Sequence, residues 1–281
     1  MSTDKCKIIL SRKGFDSSSG GIASPVIDDK FFSLPIPEEG SGLSFDKLKV
    51  FGGNYSVLQL IRDLGSKKEF TECHMDPNLC PELYGLDETD GWSPAFGQEG
   101  GALTHLLTTN NVQPHAVFLF FGRFREAKLH EEKYEFCDKP DFHAIYGFME
   151  VGEILLINKD KKCILTEDQQ KKYGNHPHVT NTVTNRENST LFIPATESKH
   201  GFKKTYGVFN FSEQLILTDT ESGSSISHWK MDHAFWNTNF TYKLTITGDG
   251  TGQSPGRGQE LVGDATTDSL AWIKEMIELY S

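Results

Sequence analysis

The chain has 281 residues, of which 37% are hydrophobic and 24% charged, and its formal net charge is −11. That is apolar content enough for a sizeable core and too acidic a balance for the broad basic face that grips duplex DNA. No run approaches the length of a membrane span, MSTDKCKIIL lacks a signal-peptide pattern, and the five scattered cysteines (6, 73, 80, 137, 163) point to a reducing cytosol rather than a disulfide framework.

In chain order, KIILS (7–11) reads as a short strand, and FFSLPI (31–36) as a second that Pro35 confines to an edge or an end. NYSVLQLIRDLG (54–65) predicts a helix with Val57, Leu60, Ile61 and Leu64 on one face, Asn54 as cap and Gly65 as stop. GWSPAFGQEGGALTHLL (91–107) predicts another, opened by Ser93 as N-cap and Pro94 at the first helical position. Its interior glycines, Gly97, Gly100 and Gly101, each cost about 1 kcal/mol relative to Ala, so close packing or a ligand must compensate. The strongest β signal is HAVFLFFGRFRE (115–126) and HAIYGFMEVGEILLI (143–157), apolar on both parities through Val117–Phe121 and Ile154–Ile157 and so expected to be covered on both faces. Gly122, Gly147 and Gly152 mark bends or bulges there. Further strands are expected at 189–196, 205–211, 214–218 and 241–247, then a Gly-rich loop at about 248–258 and a helix at 268–280. With no repeat or linker, the simplest account is a single α+β domain over 1–281, built on a mixed, strongly curved sheet flanked by a few helices.

Several stretches could carry chemistry. In LSRKGFDSSSGG the backbone N–H groups of a Gly/Ser turn, the Arg12 fork and the Lys13 charge suit an anion; the competing reading is a polar turn whose Asp16 bonds its own backbone. No phosphate-loop or dinucleotide fingerprint is present. In TECHMDPNLCPEL, His74 and Asp76 form an H-x-D pair that on a strand shares one face. It could grip a substrate or share a metal with a distant histidine, whereas Cys73 and Cys80 are badly spaced for zinc. Gln98, on a helix face with Gly101, Ala102 and His105, could present its amide to a base or sugar. His143, at a strand start, either meets a ligand as a neutral imidazole or is satisfied in the core. In NHPHV, Pro177 holds an extended segment with His176 and His178 on one side, a weak metal candidate with His74 and Asp76. Arg123 and Arg125 read as partners of Glu150 and Glu153. Trp229 and Lys230, with Arg257, Gln259 and Glu260, suit a stacked base and its phosphate; a buried Trp beside a surface Lys is the more ordinary arrangement.

Taken together, LSRKGFDSSSGG, SLPIP, CHMDPNL, FGQEGGALTHL, FLFFGRFR, HAIYGFMEVGEI, HPHV, SHWK and RGQEL resemble the nucleotide modification associated domain 3 family, from Ile8 to about Trp272. SRKGFD and the CHxDP block are the most specific parts. SHWK stands where a plainer SWK is expected, which leaves His228 unexplained. The resemblance implies a place in phage or bacterial systems that hypermodify DNA bases, without a reaction assigned to any residue. AVFLFFG followed by HAIYGFMEVGEI also resembles the core of pseudouridine-synthase-archaeosine (PUA-like) barrels, which bears on architecture alone.

The expected function is action on a nucleotide or flipped base in a DNA hypermodification setting. Asp16, His74, Asp76 and His143 would do acid–base work, and Arg12, Lys13, Gln98, Trp229, Lys230 and Gln259 would bind substrate. The alternatives are a non-catalytic reader of a modified base and a metal-dependent hydrolase built on His74, Asp76, His176 and His178. The sequence names no cofactor. The expected partners are a nucleotide or nucleobase and DNA through a local patch such as Lys199, Lys203 and Lys204; no membrane is expected, and the expected location is cytoplasmic.

Overall fold

A computed structural model describes residues 6–158, 165–180, 188–220, 225–231, 233–240, 245–246, 251–254 and 260–281. Its centre is an 11-stranded mixed sheet. The main path runs Asn239–Phe240, Leu261–Asp264, Lys7–Arg12, Val117–His130, Phe142–Asn158, Asn188–Pro194 and Phe96–Glu99. Lys7–Arg12 is parallel to Val117–His130, and the other neighbours along this path are antiparallel. Among the described residues the two end strands do not pair with each other, so the sheet forms no closed barrel. The architecture is a large mixed sheet with a few helices.

The apolar run Val117–Phe121 is buried on both faces, as expected of a central strand. Ile154–Ile157 is not: Leu156 is 62% exposed, because only one face of that end of the strand is covered. The pairing of Val117–His130 with Phe142–Asn158 slips between Phe120 and Phe121, beside Gly122. A Cβ at Gly122 would stand 2.8 Å from the Lys13 carbonyl oxygen, so only glycine lets the opening loop pass this close.

That loop leaves and rejoins one strand. Arg12 pairs with Phe121 and Ser24 with Phe124, both in parallel register, so residues 13–23 make an excursion spanning only Gly122 and Arg123 of the partner. Phe15, fully buried against Phe45 and Phe70, pins the excursion into a second apolar cluster that includes Phe32, Leu60 and Ile61.

Local differences from expectation have tertiary causes. FFSLPI yields only Lys30–Phe31 and Ile36–Pro37 as strand. The first helix is Val57–Asp63 behind Ser56, not Asn54. Ser93 and Pro94 open no helix: Phe96–Glu99 is a strand paired with Ser189–Phe192, and the helix is only Gly100–Thr104. Phe96 settles this, since its ring packs among Phe118, Phe120 and Phe192 on the sheet. QLILT holds a 3-10 turn, Glu213–Leu215, instead of a strand. Of 241–247, Thr245–Ile246 is strand; of the Gly-rich loop, Gly252–Gln253 is strand; the remainder of both falls outside the described residues except Thr251 and Ser254. The last helix is Thr267–Tyr280, opened by a capping box between Thr266 and Ser269, with Ile273, Met276 and Ile277 buried. Among the described residues no helix is long and apolar enough to cross a membrane, and Cys6, Cys73, Cys80 and Cys137 are all free.

Candidate functional site

The H-x-D pair is held by a small antiparallel ribbon. Cys73–His74 pairs with Ile36–Pro37, which brings Glu38 alongside, and the Glu38 carboxylate binds His74 Nδ1. Two residues on, Asp76 precedes a cis proline bond and turns its side chain inward, where it is 5% exposed. Asp76 Oδ1 accepts the Gly97 N–H at 2.7 Å, at the end strand of the sheet. Its Oδ2 lies 3.8 Å from His74 Nε2 and 3.9 Å from His178 Nε2, and His176 Nε2 stands 3.5 Å from Oδ1.

The NHPHV segment is not extended. Pro177 starts a short helical turn, Pro177–Thr180, at the position where a missing N–H costs nothing. The turn still delivers both imidazoles to Asp76, with ring centroids 5.7 Å apart. His178 Nδ1 bonds Ser189 Oγ at 2.8 Å, and its ring covers Gly97. His176 Nδ1 accepts the His178 N–H at 3.3 Å, and its buried Nε2 has no hydrogen bond.

These environments set the charges. Burial opposes the Asp76 charge, but the His176 and His74 contacts prevail and hold the carboxyl well below its usual range. Burial likewise opposes the His74 cation, yet Asp76 and Glu38 raise its pKa to about 9. Burial dominates at His178 and lowers it to about 3, leaving that ring neutral.

A second polar group adjoins the first. Ser11 Oγ and Gln98 Nε2 both donate to Glu260 Oε1, at 3.0 and 2.9 Å, and Lys13 Nζ lies 3.8 Å from the same oxygen. The Lys13 ammonium also rests 4.3 Å from the Phe96 ring centroid. Glu260 Oε2 is buried with no hydrogen bond, and burial raises the pKa of this carboxyl. Lys13 joins the two groups electrostatically, since its charge favours ionised Asp76 and disfavours a protonated His178.

Other sequence candidates stand elsewhere. Arg12 and Lys13 are neighbours on extended chain and diverge: Lys13 goes to Glu260, Arg12 to Asp16 at 3.4 Å. Asp16 accepts the Ser18 and Ser19 N–H groups and the Ser18 hydroxyl, as in the polar-turn reading, which keeps its pKa lowered against burial. His143 is 3% exposed; its Nδ1 accepts the Trp229 indole N–H at 3.1 Å, and Nε2 has no partner. Burial, with Arg12 and Arg123 nearby, lowers its pKa to about 3.

Trp229 is fully buried edge-on to Phe121 and offers no face to an incoming base, because the sheet needs its bulk. Lys230 lines a separate cavity of about 470 Å³ with His233 and Trp272. Gln259, like Arg257, lies outside the described residues. Arg123 and Arg125 pair with Asp141, not with Glu150 or Glu153. Glu150 is buried, bound by His115, Ser198 and the Lys199 N–H. Lys203 and Lys204 share a cavity of about 580 Å³ with Glu82, Glu88 and Glu197, so that surface is mixed rather than basic.

Sequence reasoning did not find Glu38, Ser189 or Ser11 in the cluster, nor what Gly97 makes room for. Glu38 and Ser189 carry no motif signal and reach the site only through strand pairing. The one available hint was the cost of glycines in FGQEGG, which marks a close approach.

Comparison with known proteins gives one match. The family described as nucleotide modification associated domain 3 matches residues 7–264, a span holding every residue of both polar groups. No curated protein and no solved structure is significantly similar to the chain.

Proposed function

The chain belongs to the nucleotide modification associated domain 3 family, and we propose on that premise that it is an enzyme modifying a nucleotide or flipped DNA base, in a phage or bacterial hypermodification setting. The observation that carries the reading is a single buried carboxylate, Asp76, approached by the imidazoles of His74, His176 and His178 within 3.9 Å. Imidazoles against a carboxylate are the usual equipment for moving protons near neutral pH. Beside them, Lys13, Gln98 and Glu260 supply a cation, an amide and a carboxyl with one oxygen unbound, groups suited to a phosphate and the polar edge of a base. A net charge of −11 favours a free nucleotide or one extruded base over long duplex contact.

The test is nucleoside mass spectrometry of DNA and of free nucleotides from cells expressing the wild type or Asp76→Asn. A modified nucleoside present with the wild type and absent with the variant is expected. Identical nucleoside profiles from both cultures, with nucleotide binding retained by purified protein, would replace this reading with a non-catalytic reader. The metal-dependent alternative has an observation of its own: one donor atom each from His74, Asp76 and His178 falls within 4.8 Å of the others.

A further inference from the structure

We propose that His74, Asp76 and His178 bind one divalent first-row transition metal ion, through His74 Nε2, Asp76 Oδ2 and His178 Nε2. The inference rests on the preceding reading of this cluster as the catalytic centre and names what it holds.

The first support is the division of labour within each side chain. Asp76 Oδ1 is taken by the Gly97 N–H at 2.7 Å, which leaves Oδ2 facing the two histidines. His74 Nδ1 is taken by the Glu38 carboxylate and His178 Nδ1 by Ser189 Oγ at 2.8 Å, so Nε2 of each ring is the atom turned inward, and the ion would take the place of the proton on His74 Nε2. Ligating histidines are held this way in metal sites: the outer nitrogen donates to an oxygen, which fixes the ring and frees the inner lone pair. Here all three inward atoms have such an outer partner, and chance packing has no reason to provide that.

The second support is a buried polar atom outside the proposed ligand set. His176 is 1% exposed, and its Nε2 makes no hydrogen bond although it points to within 3.5 Å of Asp76 Oδ1. Its Nδ1 accepts the His178 N–H, which leaves Nε2 as a buried, unpartnered polar atom aimed at the carboxylate that would ligate the ion.

Donor chemistry selects the ion class. Two imidazoles and one carboxylate suit zinc or iron(II) and are too nitrogen-rich for calcium or magnesium. Ligand atoms about 2.1 Å from a tetrahedral ion sit roughly 3.4 Å apart; the two carboxylate–imidazole separations, 3.8 and 3.9 Å, close by side-chain shifts of a few tenths of an ångström, and one donor atom of each of the three residues already lies within 4.8 Å of the others. Three protein ligands leave coordination positions open, where an ion polarises a substrate oxygen or acidifies a water.

The test uses the 281-residue chain without a histidine tag, stripped with chelator and titrated with cobalt(II) and zinc(II). Expected are one equivalent bound per chain, a cobalt visible spectrum of nitrogen and oxygen ligation, and loss of both in His178→Ala and Asp76→Asn. Because those variants could misfold, Ser189→Ala provides a milder arm: loss of its outer bond should weaken affinity by about tenfold, with the circular dichroism of the apoprotein unchanged. Absence of stoichiometric binding by folded wild type overturns the proposal, as does unaltered binding in all three variants. The two readings fail separately. Modification that needs Asp76 without any metal binding removes the ion alone, whereas stoichiometric binding with no nucleoside change removes the enzyme reading alone.

Discussion

The imidazole of His178 occupies the space that a side chain at Gly97 would fill: a Cβ there would lie 2.1 Å from His178 Cδ2 and 2.4 Å from Cγ. The Gly97 N–H meanwhile holds Asp76 Oδ1. One glycine of an edge strand thus positions two members of the site, one by an absent side chain and one by its backbone.

Gly97→Ala should therefore push His178 off Asp76 while the strand stays paired. Overpacking of this kind costs about 1–3 kcal/mol. Cobalt affinity and nucleoside modification are each expected to fall by about tenfold or more, read by titration and mass spectrometry, with a cooperative thermal transition retained. Wild-type values for both would show that His178 is not needed where it stands.

The opening loop should prove anchored rather than mobile. Phe15 is fully buried, edge-on to Phe45 and Phe70 at centroid distances of 6.4 and 5.5 Å. Phe15→Ala is expected to lower unfolding free energy by about 3–5 kcal/mol, measured by urea denaturation. A loss below about 1 kcal/mol would mean that the cluster closes without it.

His143 gives a pH dependence whose sign follows from burial. Its pKa falls from 6.5 to about 3 in the folded chain, so the unfolded chain binds the proton first. This contribution to stability is complete above about pH 6.5 and is lost progressively as pH falls towards 3, by at most about 1.4 kcal/mol per pH unit. His143→Gln keeps an acceptor for the Trp229 indole and cannot titrate. Its urea midpoint should fall less steeply between pH 6 and 4 than that of the wild type; parallel profiles would assign the slope to other groups.

Substrate contact should divide between the two sequence candidates near cations. Lys13→Met and Gln98→Leu are expected to weaken binding of nucleoside monophosphates by about tenfold or more, as for a lost charge-assisted contact. Lys230→Met, on the Trp272 cavity, should leave binding unchanged. Calorimetric titration decides it, and a Lys230→Met loss equal to that of Lys13→Met would move the ligand to that cavity.

Much of the site was legible where chemistry is local. H-x-D is a spacing that brings two side chains together whatever surrounds it, and His74 and Asp76 do meet. Asp16 caps its own turn because Ser18 and Ser19 follow it directly. The long apolar strands at 117–130 and 142–158 were evident because period and composition are properties of the segment itself. Segments whose state depends on a distant partner were misread. FGQE looked like a helix start but pairs as a strand, since Phe96 gains more from the aromatic face of the sheet than a cap at Ser93 could supply.

By itself, then, the sequence determined the mixed sheet, the closing helix and a list of polar residues arranged in family motifs. Only tertiary structure decided which of them share a site. It sent Arg12 to Asp16 and Lys13 to Glu260, placed Trp229 in the core, and brought Glu38, His176, His178 and Ser189 to Asp76 across up to 113 positions of chain. The physical reason is that burial and pairing are set by non-local strand register. No spacing along the chain records that register.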